Sequence, residues 1–428
     1  MQELKRIINY KRIILLLIAV TVNVVFFLYD NKPVMDEDII NKENVAHETY
    51  IKNYHEEVNA IIDNADKLKK YSIFNKAGSF SYANILQTAR DFERVKNVIL
   101  PEDEYKGVQA YTTYYYQYFF TMLVMMFVIY DMFAQRDNGM WSITYSCANG
   151  RIMYAIKQTG VIVVTGAFTH TLIYWSTFIA AMLQRGGVRD LVNPVQTIET
   201  FDKFTYPWSK IKYVTVLYLI SMVCIVALCI TIWGVFVMFR NRVYALVTML
   251  IFAAVEQFIY SHIDIHSVWN GLHYINIINI ININATFSSY RNWGVGTYVF
   301  PVFSVVLFVH IICAGVIGYI AINVSASMKP YKNTTFIKRF TDCVSAGCQK
   351  ILARIPFLFK EIHKFIFTSH CGWVVVVMLT VTAYVCQTGQ YHYTDDNKYM
   401  DSEYMLHGGK DYTYFQDYLD NLYQQRDE

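Results

Sequence analysis

Charge is missing from long stretches of this chain. Of its 428 residues only 17% are Asp, Glu, Lys or Arg, where soluble domains carry about a quarter. Residues 13–29, 111–130, 158–184, 213–239 and 300–323 contain none of the four. A helix crosses a hydrocarbon core of about 30 Å with roughly 20 such residues, so each run is read as a span. Two further runs, 243–260 with Glu256 inside it and 371–387, are shorter or interrupted and complete an expected set of seven. The class that follows is an all-α integral membrane protein.

Other absences narrow the function. All eight cysteines fall in expected spans or inner loops and none in an outer segment, so no disulfide framework is expected. Cys343 and Cys348 form a single C-x4-C without a second pair, which speaks against zinc. The apolar run near the N-terminus ends in Phe26, Phe27, Leu28 and Tyr29 rather than in small residues, and is read as an anchor that stays. No G-x-x-x-x-G-K-[ST] occurs to cradle phosphates, and no G-x-S-x-G. "HEEVN" from His55 lacks the second His of a zincin site. His262 and His266 stand four apart, but two ligands without a third make a poor metal site. No enzyme, metal site or resident cofactor is expected in this chain.

What is present has direction. With the N-terminus inside, the inner segments carry 17 Lys and Arg against 9 in the short outer ones, the bias expected of cytoplasmic loops. Seven spans then put the C-terminus outside. Residues 30–110 form the first outer region. There Ile51, Tyr54, Val58, Ile61, Ala65 and Leu68 step by three and four, and Ile85, Ala89, Phe92, Val95 and Ile99 make a second stripe. A turn-rich "NKAGSFSYAN" between them predicts an extracellular helical hairpin. The aromatic residues of 184–212 suit a headgroup-level segment. Residues 261–299 alternate Ile and Asn, too polar to span and too apolar to be free, which predicts a re-entrant stretch with buried backbone. Residues 326–370 read as a basic cytosolic linker with an amphipathic helix near Phe357–Ile366.

Two positions invite attention. Glu256 is an acid well inside a span, where a carboxylate costs on the order of 2.5–3.5 kcal/mol. It is expected to face a transport pathway or to bond to the polar stretch that follows. The inner loop 135–157, "RDNGMWSITYSCANGRIMYAIKQ" from Arg136, spaces Trp141, Ile143 and Tyr145 through a polar segment, as a helix with an apolar docking face would.

The order of parts resembles the membrane subunit of an ABC exporter of the type-2 permease family, over residues 1 to about 325. That order is a basic amphipathic N-terminus, a first span, an outer domain, two spans joined by this loop, a tight inner "FRNR" turn and a re-entrant outer segment before the sixth span. In that family the loop holds a coupling helix that docks on a separate ATPase. Asp137, Gly139, Gly150, Arg151 and Lys157 match its recurring positions. The resemblance implies a six-helix transmembrane domain in a bacterial cytoplasmic membrane, export of a substrate left open, and ATP and Mg on the partner ATPase subunit. It also implies a second permease chain or a homodimer. The alternative is a non-transporting sensor or assembly protein whose ectodomain binds an envelope ligand.

The C-terminal part is expected to repeat the beginning. "ELKRIINYKRIILLL" from Glu3 is echoed by "EIHKFIFTSHCGWVVVV" from Glu361, "DNKPVMDED" from Asp30 by "DNKYMDSE" from Asp396, and "YIKNYHEEV" from Tyr50 by "YFQDYLDNL" from Tyr414. Residues 371–387 are then a seventh span, and 388–428 an acidic outer tail repeating part of 30–60: the start of a second permease unit, cut short.

Overall fold

The computed structural model describes residues 10–32, 37–70, 76, 78–101, 106–134, 141–147, 150–239, 241–263 and 269–327. The linker 326–370 beyond Ser327, the expected seventh span 371–387 and the tail 388–428 lie outside the described residues, as do Asp137, Gly139 and His266.

The described chain is overwhelmingly helical. It opens with α1 (Tyr10–Asp30), followed by α2 (Glu37–Leu68), α3 (Phe80–Glu93), α4 (Gly107–Thr113), α5 (Tyr116–Met132), α6 (Trp141–Ser146) and α7 (Ile152–Arg185). Three short 3-10 turns between Arg189 and Phe201 lead into α8 (Lys210–Met238) and α9 (Arg242–His262). Then come the short α10 (Asn270–Tyr274), α11 (Ile277–Ile281) and α12 (Ile283–Ser288), an antiparallel pair β1 (Asn292–Val295) and β2 (Tyr298–Pro301), and α13 (Val302–Ser327).

Among the described residues five helices are long and apolar enough to cross a membrane: α1 from Arg12, then α7, α8, α9 and α13. The chain is therefore an α-helical, multi-pass membrane protein. The charge-free run 111–130 behaves differently. Its chain breaks at Tyr114, whose backbone is extended at φ −83° and ψ 96°, leaving the 17-residue α5 as a shorter apolar helix. The break has a cause in side chains. Tyr114 is buried edge-on against Phe27 at 5.0 Å, and its hydroxyl bonds the Asn23 carbonyl at 3.2 Å and Asn23 Oδ1 at 3.1 Å, both on α1.

Helices α7 and α8 form the centre of the bundle. Helix α8 packs along α13 and α7, and α7 in turn against α1, α4 and α5. Their core holds Tyr111, Tyr118, Tyr174, Phe178, Tyr213, Leu217 and Leu228 at one level, and Met125, Ile162, Ile232, Trp233 and Phe236 at another. Helix α9 is peripheral: of its 21 residues only Ala245 is buried. An apolar helix so exposed is stable in a bilayer, where lipid replaces the missing protein neighbours.

At 1.5 Å per residue the 34 residues of α7 extend about 51 Å, more than a hydrocarbon core of about 30 Å. The helix stops where Gly186 and Gly187 take left-handed φ of 70° and 102°, which side chains disfavour. Gly107 begins α4 at that point, and a Cβ there would stand 2.2 Å from the Gly186 carbonyl oxygen. Beside this end, α2 and α3 close a small core of Tyr54, Val58, Ile62, Phe92 and Val95. Ile99 stays out of it, 82% exposed, because α3 ends at Glu93 and a turn follows.

Candidate functional site

One end of the bundle carries the loop between α5 and α7. Within it α6 spans only Trp141–Ser146, too short to persist without tertiary support. Tyr145 supplies that support. Its side chain is buried, its hydroxyl lies 2.5 Å from Ser325 Oγ on the last turns of α13, and its ring meets Tyr154 of α7 edge-on at 6.1 Å. Two residues earlier, Ile143 is 70% exposed. The loop thus turns one side chain inward as an anchor and another outward.

Gly150 is buried in the turn that follows, its N–H donating to the Cys147 carbonyl at 2.9 Å. Arg151 precedes α7 and Lys157 sits a turn and a half along it, both exposed. Ile152, Met153 and Ile156 are exposed on the same first turns. Ile143 and these three apolar residues therefore stand at the end of the bundle that also bears Arg151 and Lys157. Trp141 opens α6.

Neighbouring helices are tied at the same end. Arg12 of α1 donates to Asp131 Oδ2 near the end of α5, through Nη2 and through Nε at 3.0 Å. The Arg242 guanidinium of α9 stands 4.6 Å from the Tyr130 ring centre, a cation–π contact. Asp131 follows directly on a charge-free run and Arg12 directly precedes one, so complementary charges at one boundary were a readable signal for this pair. Ser325 as the partner of Tyr145 had no such signal.

At the other end Glu256 meets the polar stretch. Its Oε2 accepts from the Ile277 backbone N–H at 3.1 Å, and its carbonyl oxygen accepts from Asn276 Nδ2 at 2.7 Å. Asn276 Oδ1 caps α11 by accepting from Ile278 N–H at 2.8 Å. Asn279 Nδ2 donates to the carbonyls of His273 and Tyr274, and Asn284 joins the Thr112 carbonyl at 2.8 Å to the Tyr213 hydroxyl at 2.7 Å. Ile280 and Ile283 are buried between these amides. The alternation of Ile and Asn thus lets an irregular backbone satisfy its polar groups within the protein.

This stretch also holds the helical hairpin. Tyr290 donates to Asp91 Oδ2 on α3 at 2.9 Å, and Asn292 Nδ2 to Asn84 Oδ1 at 2.9 Å. Burial pushes the Tyr290 hydroxyl up to about 12. On the other side Tyr50 of α2 donates to the Gln196 carbonyl at 2.8 Å. In the bundle between the two ends, His170 Nε2 lies 2.8 Å from Ser221 Oγ, and its ring stacks on Tyr218. Among the described residues no group of three His, Cys, Asp or Glu is placed to hold a metal ion.

Comparison with family models, with curated proteins and with solved structures returns no match.

Proposed function

We propose that this chain is the permease subunit of an ABC exporter of the type-2 family, forming a membrane pathway powered by a separate ATPase. The observation that carries the reading is the α6 loop. A six-residue helix is fastened to α7 and α13 by Tyr145 while Ile143 faces outward at the same end of the bundle. Such a helix can pass a push from a docked partner straight into two bundle helices. Its partner would carry the ATP and Mg.

In this reading α1, α5, α7, α8, α9 and α13 are the six helices of the transmembrane domain, with the α6 end in the cytosol of a bacterial cell. The α2–α3 hairpin and the 261–299 stretch are then extracellular, and a second permease chain or a copy of this one completes the pathway. Asp137, Gly139, Trp141, Ile143, Gly150, Arg151 and Lys157 belong to the docking loop, with Tyr145 as its internal strut. The substrate is left open.

The test is co-purification of the full chain with a candidate P-loop ATPase encoded beside it. Ile143→Asp places a carboxylate in a contact that would be desolvated, at a cost of several kcal/mol. It should abolish the complex while leaving the thermal melting of the chain unchanged. An ATPase that stays bound to Ile143→Asp as to the native chain sinks the docking assignment.

A further inference from the structure

The α2–α3 end holds a cavity of about 650 Å³ that the transport reading does not use. It is formed where the ends of α1 and α7, the start of α4, the first turns of α2 and the 3-10 turns meet, and its size falls in the ~300–1,000 Å³ range of small-molecule sites. Its depth in the membrane follows from its neighbours. Tyr29 and Leu183, one turn or less before the cavity residues Asn31 and Arg185, are 68% and 82% exposed on apolar helices. The cavity therefore sits where hydrocarbon gives way to headgroups.

Its lining is charged in both signs. Arg185 donates to two backbone carbonyls, Asn31 O at 3.1 Å and Lys32 O at 2.8 Å, which fix the guanidinium without neutralising it. Lys106 pairs with Glu43, both side chains more than two-fifths exposed, a contact of the kind worth little to stability and easily exchanged. Glu199 adds a second carboxylate.

We propose that this cavity binds a zwitterionic phosphoester of the ethanolamine type. The phosphate lies on Arg185 and Lys106, and the ammonium lies on Glu199 and Glu43. Two cations and two carboxylates match one such ligand with its charges satisfied, whereas a plain anion would leave both carboxylates facing it. The same chemistry is offered by the headgroup of phosphatidylethanolamine and by free glycerophosphoethanolamine. The site does not depend on an ATPase, since it lies at the far end of α7 from the α6 loop.

The experiment is native mass spectrometry of the full chain in detergent, supplied with equal amounts of phosphatidylethanolamine and phosphatidylglycerol. The native chain should retain the former over the latter by at least about tenfold, the effect of a charged hydrogen-bond partner. Glu199→Gln, at an exposed position, should erase that preference with melting unchanged. Arg185→Gln also loses the anchor to α1 and so serves only as a second variant. Displacement of the lipid by free glycerophosphoethanolamine assigns the site to the soluble ligand, and retention against it assigns the site to the lipid. Equal retention of the two lipids by the native chain overturns the proposal, and so does a preference that survives both Glu199→Gln and Glu43→Gln.

Discussion

A carboxylate in a span is costly unless its oxygens are used, and Glu256 uses one on the N–H of Ile277, the residue directly after Asn276, the N-cap of α11, whose side chain bonds the Glu256 carbonyl. Removing the acceptor leaves that N–H without a partner in a low-dielectric setting, at about 1–3 kcal/mol. Glu256→Gln keeps an acceptor and should melt within about 1 kcal/mol of the native chain, while Glu256→Leu should lose the full amount. Thermal unfolding in nanodiscs checks both, and equal melting of the two variants would detach Glu256 from α11. At the α6 end, Tyr145→Phe keeps the ring against Tyr154 and removes the hydroxyl that bonds Ser325. It should cost about 1 kcal/mol and raise amide exchange in 141–147 ahead of the rest. Residue-scale chemistry was unevenly legible. Glu256 was conspicuous because burial of charge is rare, and a bond to the following stretch was one of its two readings. The pairing of Tyr145 with Ser325 spans 180 residues, a distance over which no local pattern carries information.

Elements differ in how they are held, and the helical hairpin is held by polar latches. Tyr290 ties α3 to the segment entering α13, on a carboxylate already engaged by Gln87 and Arg94. Burial raises the Tyr290 hydroxyl from 10.0 to about 12. Because the protonated form is favoured in the folded state, its stabilisation is complete below pH 10.0 and is lost as pH rises through about 12. Proteolysis of residues 80–101 should therefore accelerate across that window, and Tyr290→Phe should remove the step by making the segment labile at neutral pH too. An unchanged alkaline profile in Tyr290→Phe would place the latch elsewhere. The apolar stripe of α2 was readable because Tyr54, Val58 and Ala65 recur at helical spacing and are buried. The break at Tyr114 was not, since an uncharged run reads as one helix until Asn23 of another helix engages its tyrosine. The β1–β2 pair was also missed. It turns at Gly296 with φ 64°, and each strand has only four residues, too few for an alternating pattern to register.

For the whole molecule, apolarity alone pointed to a membrane, because losing the one run at 111–130 to the break at Tyr114 still leaves several helices long and apolar enough to cross. Sidedness is a separate matter, resting on the excess of Lys and Arg in segments at the α6 end. The two ends of α7 offer reporters for it. Cys147 is exposed in the loop after α6, whereas Cys224 and Cys229 are buried in α8. A variant retaining Cys147 alone should react with a membrane-impermeant maleimide only in inside-out vesicles. A variant whose one cysteine replaces Ser79, the half-buried N-cap of α3, should react only in intact cells. A third, with its one cysteine in place of Ser402 beside Asp401, asks about the C-terminal part. Labelling from outside requires an odd number of crossings between the α6 loop and the tail beyond α7, α8, α9 and α13, hence a further span at 371–387 and an outer tail. Labelling from the cytosolic side alone removes that span, and with it the repeat of 1–60 in 361–428. If Cys147 and the Ser79 position react from the same side, the bundle does not separate two compartments along α7, and the exporter reading falls with it.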